Sequence, residues 1–127
     1  MEEMEIKSTH SNTRLRFFDM KGDEFHASLT SPGYSGTVKV WEADGLVDLF
    51  TFMEKNWKGW NGEEKWSSVE GEFSIACTHD KLGHITLSIE MHQDFGSLEP
   101  WRLKASLVVD AGQLDVISKD ARTFFKA

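Results

Sequence analysis

Over residues 84–92 the chain alternates without a break, with Ile85, Leu87, Ile89 and Met91 on one side and Thr86, Ser88 and Glu90 on the other. Successive side chains of an extended strand point to opposite faces, so this pattern fits a strand with one face buried and the other wet. A parallel sheet covered on both faces would read as a continuous apolar run instead. The chain is thereby steered toward antiparallel sheet with a core on one side. Other segments keep the same period. Met4, Ile6 and Ser8 make a short one, and residues 13–20 set Leu15 and Phe17 against Arg14, Arg16 and Phe18. Residues 24–30 turn Phe25, Ala27 and Leu29 inward, and the intervening Lys21-Gly22-Asp23 is turn chemistry, which predicts a hairpin. Beyond the break at Ser31-Pro32-Gly33, strands are predicted over 36–41, around Phe73, Ile75 and Cys77, and over 101–109. The last of these has Trp101, Leu103, Ala105, Leu107 and Val109 inward, while Asp80-Lys81-Leu82-Gly83 predicts a tight turn with its glycine left-handed.

Twice the period changes. Leu46, Leu49, Phe50, Met53 and Trp57 recur at spacings of three, four and seven, one stripe of an amphipathic helix over residues 45–58. Asp44 stands where an N-cap accepts from free amides, and Gly59 stands just past the end. Leu114, Ile117, Ala121, Phe124 and Phe125 make a second stripe, again after an aspartate, Asp110. The order strands, helix, strands, helix predicts a single α+β domain over residues 1–127, an antiparallel sheet of about six or seven strands with two helices packed on one face. Residues 38–48 and 107–115 echo one another, each running from apolar strand through an acidic residue into a helix.

Charge narrows the partners. Twenty-one acidic residues against fourteen basic ones leave a net charge of −7, and the basic residues are dispersed singly. Nucleic acid and anionic membranes both call for a basic face, so neither is expected as a partner. A basic protein would be attracted and its capture speeded. One cysteine excludes an internal disulfide and any multi-cysteine zinc site. No apolar run approaches the roughly 18 residues of a membrane helix, and the charged start Met1-Glu2-Glu3 does not read as a signal peptide, so a cytoplasmic location is expected.

The densest unusual segment is Asn56-Trp57-Lys58-Gly59-Trp60-Asn61-Gly62-Glu63-Glu64-Lys65-Trp66, which holds three of the five tryptophans. Tryptophan is unfavourable to expose and its indole N–H needs a partner, so such a cluster has two readings. In one, Trp57 closes the buried helix stripe while Trp60 and Trp66 plug the sheet edge. In the other, Trp60, Asn61, Glu63 and Glu64 form a recognition surface. Catalytic readings are weaker. His84, Glu90 and His92 share a strand face, but His84 and Glu90 are about 20 Å apart along a strand, too far to share an ion. His79 and His84 flank a turn, yet without a third ligand no metal site is expected. Cys77 falls on the apolar side of its strand, where a thiol behaves as a small hydrophobe; His79 is a candidate base only if that strand end is open. The carboxylates Glu63 and Glu64, and Glu70 and Glu72, read as solvated. No serine sits in a nucleophile elbow, and Gly59-x-x-Gly62 lacks the lysine of a phosphate loop. No catalytic residue and no cofactor are expected.

Leu46-Val47-Asp48-Leu49-Phe50, Trp57-Lys58-Gly59-Trp60-Asn61-Gly62, Trp66, Glu70-Gly71-Glu72, His79-Asp80 and Gly83-His84-Ile85 together resemble a family of small uncharacterised bacterial proteins. That family carries a W-x-G-W-x-G core followed by a strand and an H-D-x-x-G-H turn, and the resemblance runs from about residue 36 to the C-terminus. Some of its relatives look similar to WapI-like immunity proteins, which neutralise secreted toxins. The resemblance implies no catalytic role for the motif's histidines and tryptophans. The expected function is therefore non-enzymatic capture of another protein, of the immunity or regulatory type, with a basic toxin as a fitting partner. A small-ligand or carbohydrate-binding module using the tryptophan cluster is the alternative.

Overall fold

A computed structural model describes residues 1–93 and 96–126 of the chain. Four strands come first: β1 (Glu3–Lys7), β2 (Arg14–Lys21), β3 (Glu24–Ser31) and β4 (Tyr34–Val40). Helix α1 (Leu46–Lys55) follows, then β5 (Glu64–Ser67), β6 (Phe73–His79), β7 (His84–Gln93) and β8 (Trp101–Asp110). A single 3₁₀ turn (Ala111–Gln113) leads into α2 (Leu114–Phe125). Each group of four strands is an antiparallel meander in chain order, so the described strands form two four-stranded sheets. This corrects the expectation of one sheet with six or seven strands. Alternation specifies which face of a strand is buried and leaves its neighbour unspecified. The partition comes instead from α1, which carries the chain away after β4.

The alternation itself holds along β7, where Ile85, Leu87, Ile89 and Met91 are buried and Thr86, Ser88 and Glu90 half-buried. Its register sets Ile85 opposite Val109 and Leu87 opposite Leu107 on β8, and Ile89 opposite Ile75 on β6. Across the first sheet, Met4 faces Phe17 and Ile6 faces Leu15. The β2–β3 hairpin closes on Gly22 and Asp23, with Gly22 at φ 62°. β8 departs from its pattern. Leu107 and Val109 are buried, but Leu103 and Ala105 are half-buried and Trp101 is exposed.

Phe17 marks the centre of the molecule. Its ring lies 5.6 Å from Phe25 in its own sheet, 5.9 Å from Phe73 in the other, 6.3 Å from Phe50 of α1 and 5.7 Å from Phe125 of α2. One cluster of buried side chains therefore joins both sheets and both helices. The helices pack on one another, α1 also against β5 and α2 against β1. Arg122 of α2 holds Glu54 of α1 at 3.1 Å. The sheets also meet at β8. Gly36 of β4 approaches so closely that an added Cβ would lie 2.8 Å from Leu103, and the Thr9 N–H donates to the Val108 carbonyl at 2.9 Å. Leu103 and Val108 are about 17 Å apart along an extended strand, close to the roughly 14 Å spanned by three interstrand spacings. Strand β8 thus crosses one end of the first sheet at a steep angle, from β4 to β1.

Two details of α1 differ from expectation. Gly45, left-handed at φ 87°, precedes the helix without any side-chain cap, whereas Asp44 uses its backbone carbonyl to accept the Trp66 indole N–H at 2.8 Å. The helix also stops at Lys55, two residues short of Trp57. No helix among the described residues is long and apolar enough to cross a membrane.

Candidate functional site

The connection from α1 to β5 begins where Asn56 ends the helix by donating its backbone N–H and its side-chain amide to the Phe52 carbonyl, at 3.0 and 2.9 Å. The chain turns there before the seven-residue repeat is complete. Trp57, expected to be buried under α1, is therefore 54% exposed, with the Lys58 ammonium 5.5 Å over its ring. The next tryptophan is turned inward. Trp60 meets Phe52 edge-on at 5.5 Å and His79 at 5.1 Å, and its indole N–H donates to the Cys77 carbonyl at 3.3 Å. His79 is held as firmly, with Nε2 2.8 Å from the Trp57 carbonyl oxygen and Nδ1 2.6 Å from that of Asp80. Gly59, at φ 136°, takes a backbone conformation that side chains rarely adopt as the chain passes the imidazole, where a Cβ would make only ordinary contact at 3.6 Å. Trp66 lies in β5, buried against Phe73.

Of the four residues expected to form a recognition surface, the structure separates two from two. Trp60 is a half-buried strut, and Glu64 is half-buried opposite Cys77 on β6. Asn61 and Glu63 are exposed, the latter paired with Lys65 at 3.1 Å. The exposed aromatic of this region is Trp57. It lines a groove of about 280 Å³ with Glu54, Ala111, Gly112, Leu114 and Asp115, beside the exposed Val116 of α2. Sequence reasoning missed this groove because Trp57 lies some 55 residues from its opposite wall.

The remaining reactive side chains are accounted for by packing. Cys77 is buried, and desolvation first, with Glu64 and Glu63 adding to it, pushes its thiol up to about 12. Such a thiol stays protonated and is a poor nucleophile at neutral pH. Asp80 closes the β6–β7 turn: its Oδ1 accepts the N–H groups of Leu82 and His84 at 2.8 and 2.9 Å, and its Oδ2 lies 3.1 Å from His84 Nδ1. The backbone bond from His84, aided by those from Leu82 and the imidazole, holds its carboxyl below the ordinary carboxylate range. Gly83 at φ 86° completes the turn in the left-handed form expected for it. Glu70 is exposed, but Glu72 departs from the solvated reading. It is buried, and neither carboxylate oxygen finds a hydrogen-bond partner among the described residues.

Comparison with known proteins places the chain as a whole and leaves its chemistry open. The family described as a family of unknown function (DUF6228) matches residues 6–127. No curated protein matches the sequence.

Proposed function

Because the chain belongs to DUF6228, a family of unknown function, membership brings no activity with it, and we propose from the site itself that this is a non-enzymatic protein-binding domain of the immunity or regulatory type. The observation that carries the reading is Trp57, a large aromatic held at the rim of a groove whose walls bear the carboxylates Glu54 and Asp115. An exposed tryptophan beside a pocket is the kind of residue that dominates binding energy when a partner covers it. The excess of negative charge, −7 overall, suits a basic partner such as a cationic toxin and would speed its approach. The buried thiol of Cys77 and the carbonyl-bound ring of His79 support a role without catalysis. Trp60, Asn61, Glu63 and Glu64 enter this reading as the connection that carries Trp57, Trp60 and Glu64 bracing it from within while Asn61 and Glu63 are exposed on it.

The test uses the tagged chain as bait in extracts of its source organism, with Trp57→Ala and Asn61→Ala as parallel baits. The expected result is a basic protein retained by the wild type and lost from Trp57→Ala, whose thermal midpoint stays within a few degrees of wild type. Equal retention by Trp57→Ala overturns the groove as the binding face. Association of the wild type that is equally fast at low and high salt, or an Asp115→Lys chain that binds as fast as the wild type at low salt, would remove the steering argument.

A further inference from the structure

The connection between β1 and β2 carries a histidine with no evident role in that sheet. Its backbone is fixed. Ser8 Oγ accepts the His10 and Ser11 N–H groups at 3.0 and 3.1 Å, the Ser8 N–H donates to the Thr13 carbonyl, and Thr9 is bonded through both N–H and hydroxyl to Val108 of β8. The loop therefore lies across the edge of the second sheet, where His84, the first residue of β7, stands opposite Asp110, the last of β8. A ring nitrogen of His10, a ring nitrogen of His84 and a carboxylate oxygen of Asp110 all lie within 4.8 Å of one another. The two imidazoles meet edge-on at 5.1 Å.

We propose that His10, His84 and Asp110 form a binding site for a divalent d-block cation of the zinc type. Two imidazoles and a carboxylate suit such an ion, whereas magnesium and calcium select oxygen ligands alone. Bonds of about 2.0–2.1 Å in tetrahedral array place ligand atoms about 3.4 Å apart, so closing on the ion asks for movements of about 1.5 Å at most, which the exposed His10 side chain can supply by rotation. Behind His84 stands Asp80, itself anchored by two backbone N–H groups. Its Oδ2 receives the Nδ1–H, which directs the Nε2 lone pair outward, the carboxylate–histidine arrangement that orients metal-bound imidazoles. Asp80 is thus a positioning residue. Asp110 also caps the 3₁₀ turn: its backbone N–H donates to the Gln113 amide oxygen at 2.9 Å, and its carboxylate accepts the Gln113 backbone N–H, with the Thr9 hydroxyl 3.4 Å from Oδ1; a carboxylate has lone pairs enough for these and for an ion. Three protein ligands leave the fourth position to solvent. Sequence spacing could not reveal the site, because His10 and His84 are 74 residues apart and meet only through the docking of the loop on β8.

The test is zinc binding by the full chain, freed of tag and of metal, followed by calorimetric titration and by thermal melting in about tenfold molar excess of zinc. The expected result is one zinc per chain, a raised melting midpoint reversed by a chelator, and loss of both in His10→Ala and in His84→Ala. Asp80→Asn should weaken zinc by about 10- to 100-fold, the usual range for an orienting partner. His26→Ala, on the first sheet, should bind as the wild type does. Because His10 is exposed on a loop, its alanine variant keeps the fold and gives the decisive comparison. Zinc bound as tightly by His10→Ala as by the wild type, or no zinc bound by the wild type, overturns the site.

Discussion

Three tryptophans within ten residues end in three environments, and their backbone settings decide which. Trp66 alternates inward on β5 and spends its N–H on the Asp44 carbonyl, Trp60 leans on His79, and Trp57 follows the end of a helix and faces water. Alanine substitutions should rank accordingly. Trp66→Ala is expected to lose about 3–5 kcal/mol, the range for a buried large aromatic, Trp60→Ala about 2, and Trp57→Ala under about 0.5, read from urea denaturation. Equal losses at Trp57 and Trp66 would contradict the placement of the helix end. Cys77 offers a second measurement at this scale. Its thiol titrates near 12 in the folded chain against 9.0 for an ordinary thiol. Below pH 9 both states keep the proton and stability is full. Above it the unfolded state loses a proton that the folded state retains, so stability falls as pH rises toward 12, by about 1.4 kcal/mol per unit. Between pH 8 and 10 the wild type should therefore lose about 1.4 kcal/mol more than Cys77→Ala does. Parallel slopes for the two proteins would show that the thiol is not buried. In the native state a thiol reagent should likewise label Cys77 slowly, and rapidly in denaturant.

At the scale of elements, what the sequence displayed was period. Seven strands and both helices show one apolar face, with two apolar positions on it in β1 and β2 and four in β7, and each lies within a few residues of where that pattern puts it. β5 escaped because it is four residues long with one buried side chain, Trp66, too little to establish an alternation. The end of α1 was misjudged because Trp57 continues the stripe in sequence while Asn56 stops the helix by bonding Phe52. For the candidate site, the Trp57–Trp66 segment drew attention by composition alone, and the inward turn of Trp60 depends on His79, a residue of another element. Contacts of this kind leave no local trace. The crossing of β4 and β8 is another. Gly36 has no side chain because Leu103 occupies the space, so Gly36→Val should destabilise the chain by about 1–3 kcal/mol through overpacking. Adding Leu103→Ala should recover part of that loss, and the coupling is measured by a double-mutant cycle. Strict additivity of the two substitutions would remove the contact.

The whole molecule is twice the same sequence of parts, four antiparallel strands and then a helix, and the faint echo of residues 38–48 in 107–115 falls at the two strand-to-helix joints. The halves are nevertheless interlocked, since α2 packs on β1 and Phe17 touches rings of both sheets and both helices. Phe17→Ala should therefore lose about 3–5 kcal/mol and leave a single transition, with the signals from tryptophan fluorescence and backbone dichroism coinciding. Two separated transitions would mean that each half holds its own core.

The meander order has a consequence for how the chain is made. Every backbone partner of the first sheet, which ends at Val40, is present once about a third of the chain has emerged from the ribosome, and a hairpin forms in ~1–10 μs. At ~5–20 residues per second, the remaining two thirds take several seconds more to appear. For most of that interval Phe17 and Phe25 have a sheet beneath them and at most Phe50 of α1 above, because Phe73 and Phe125 are not yet made. The nascent protein thus passes through an interval with correct hydrogen bonding and a partly open apolar face, which closes only when the last helix arrives.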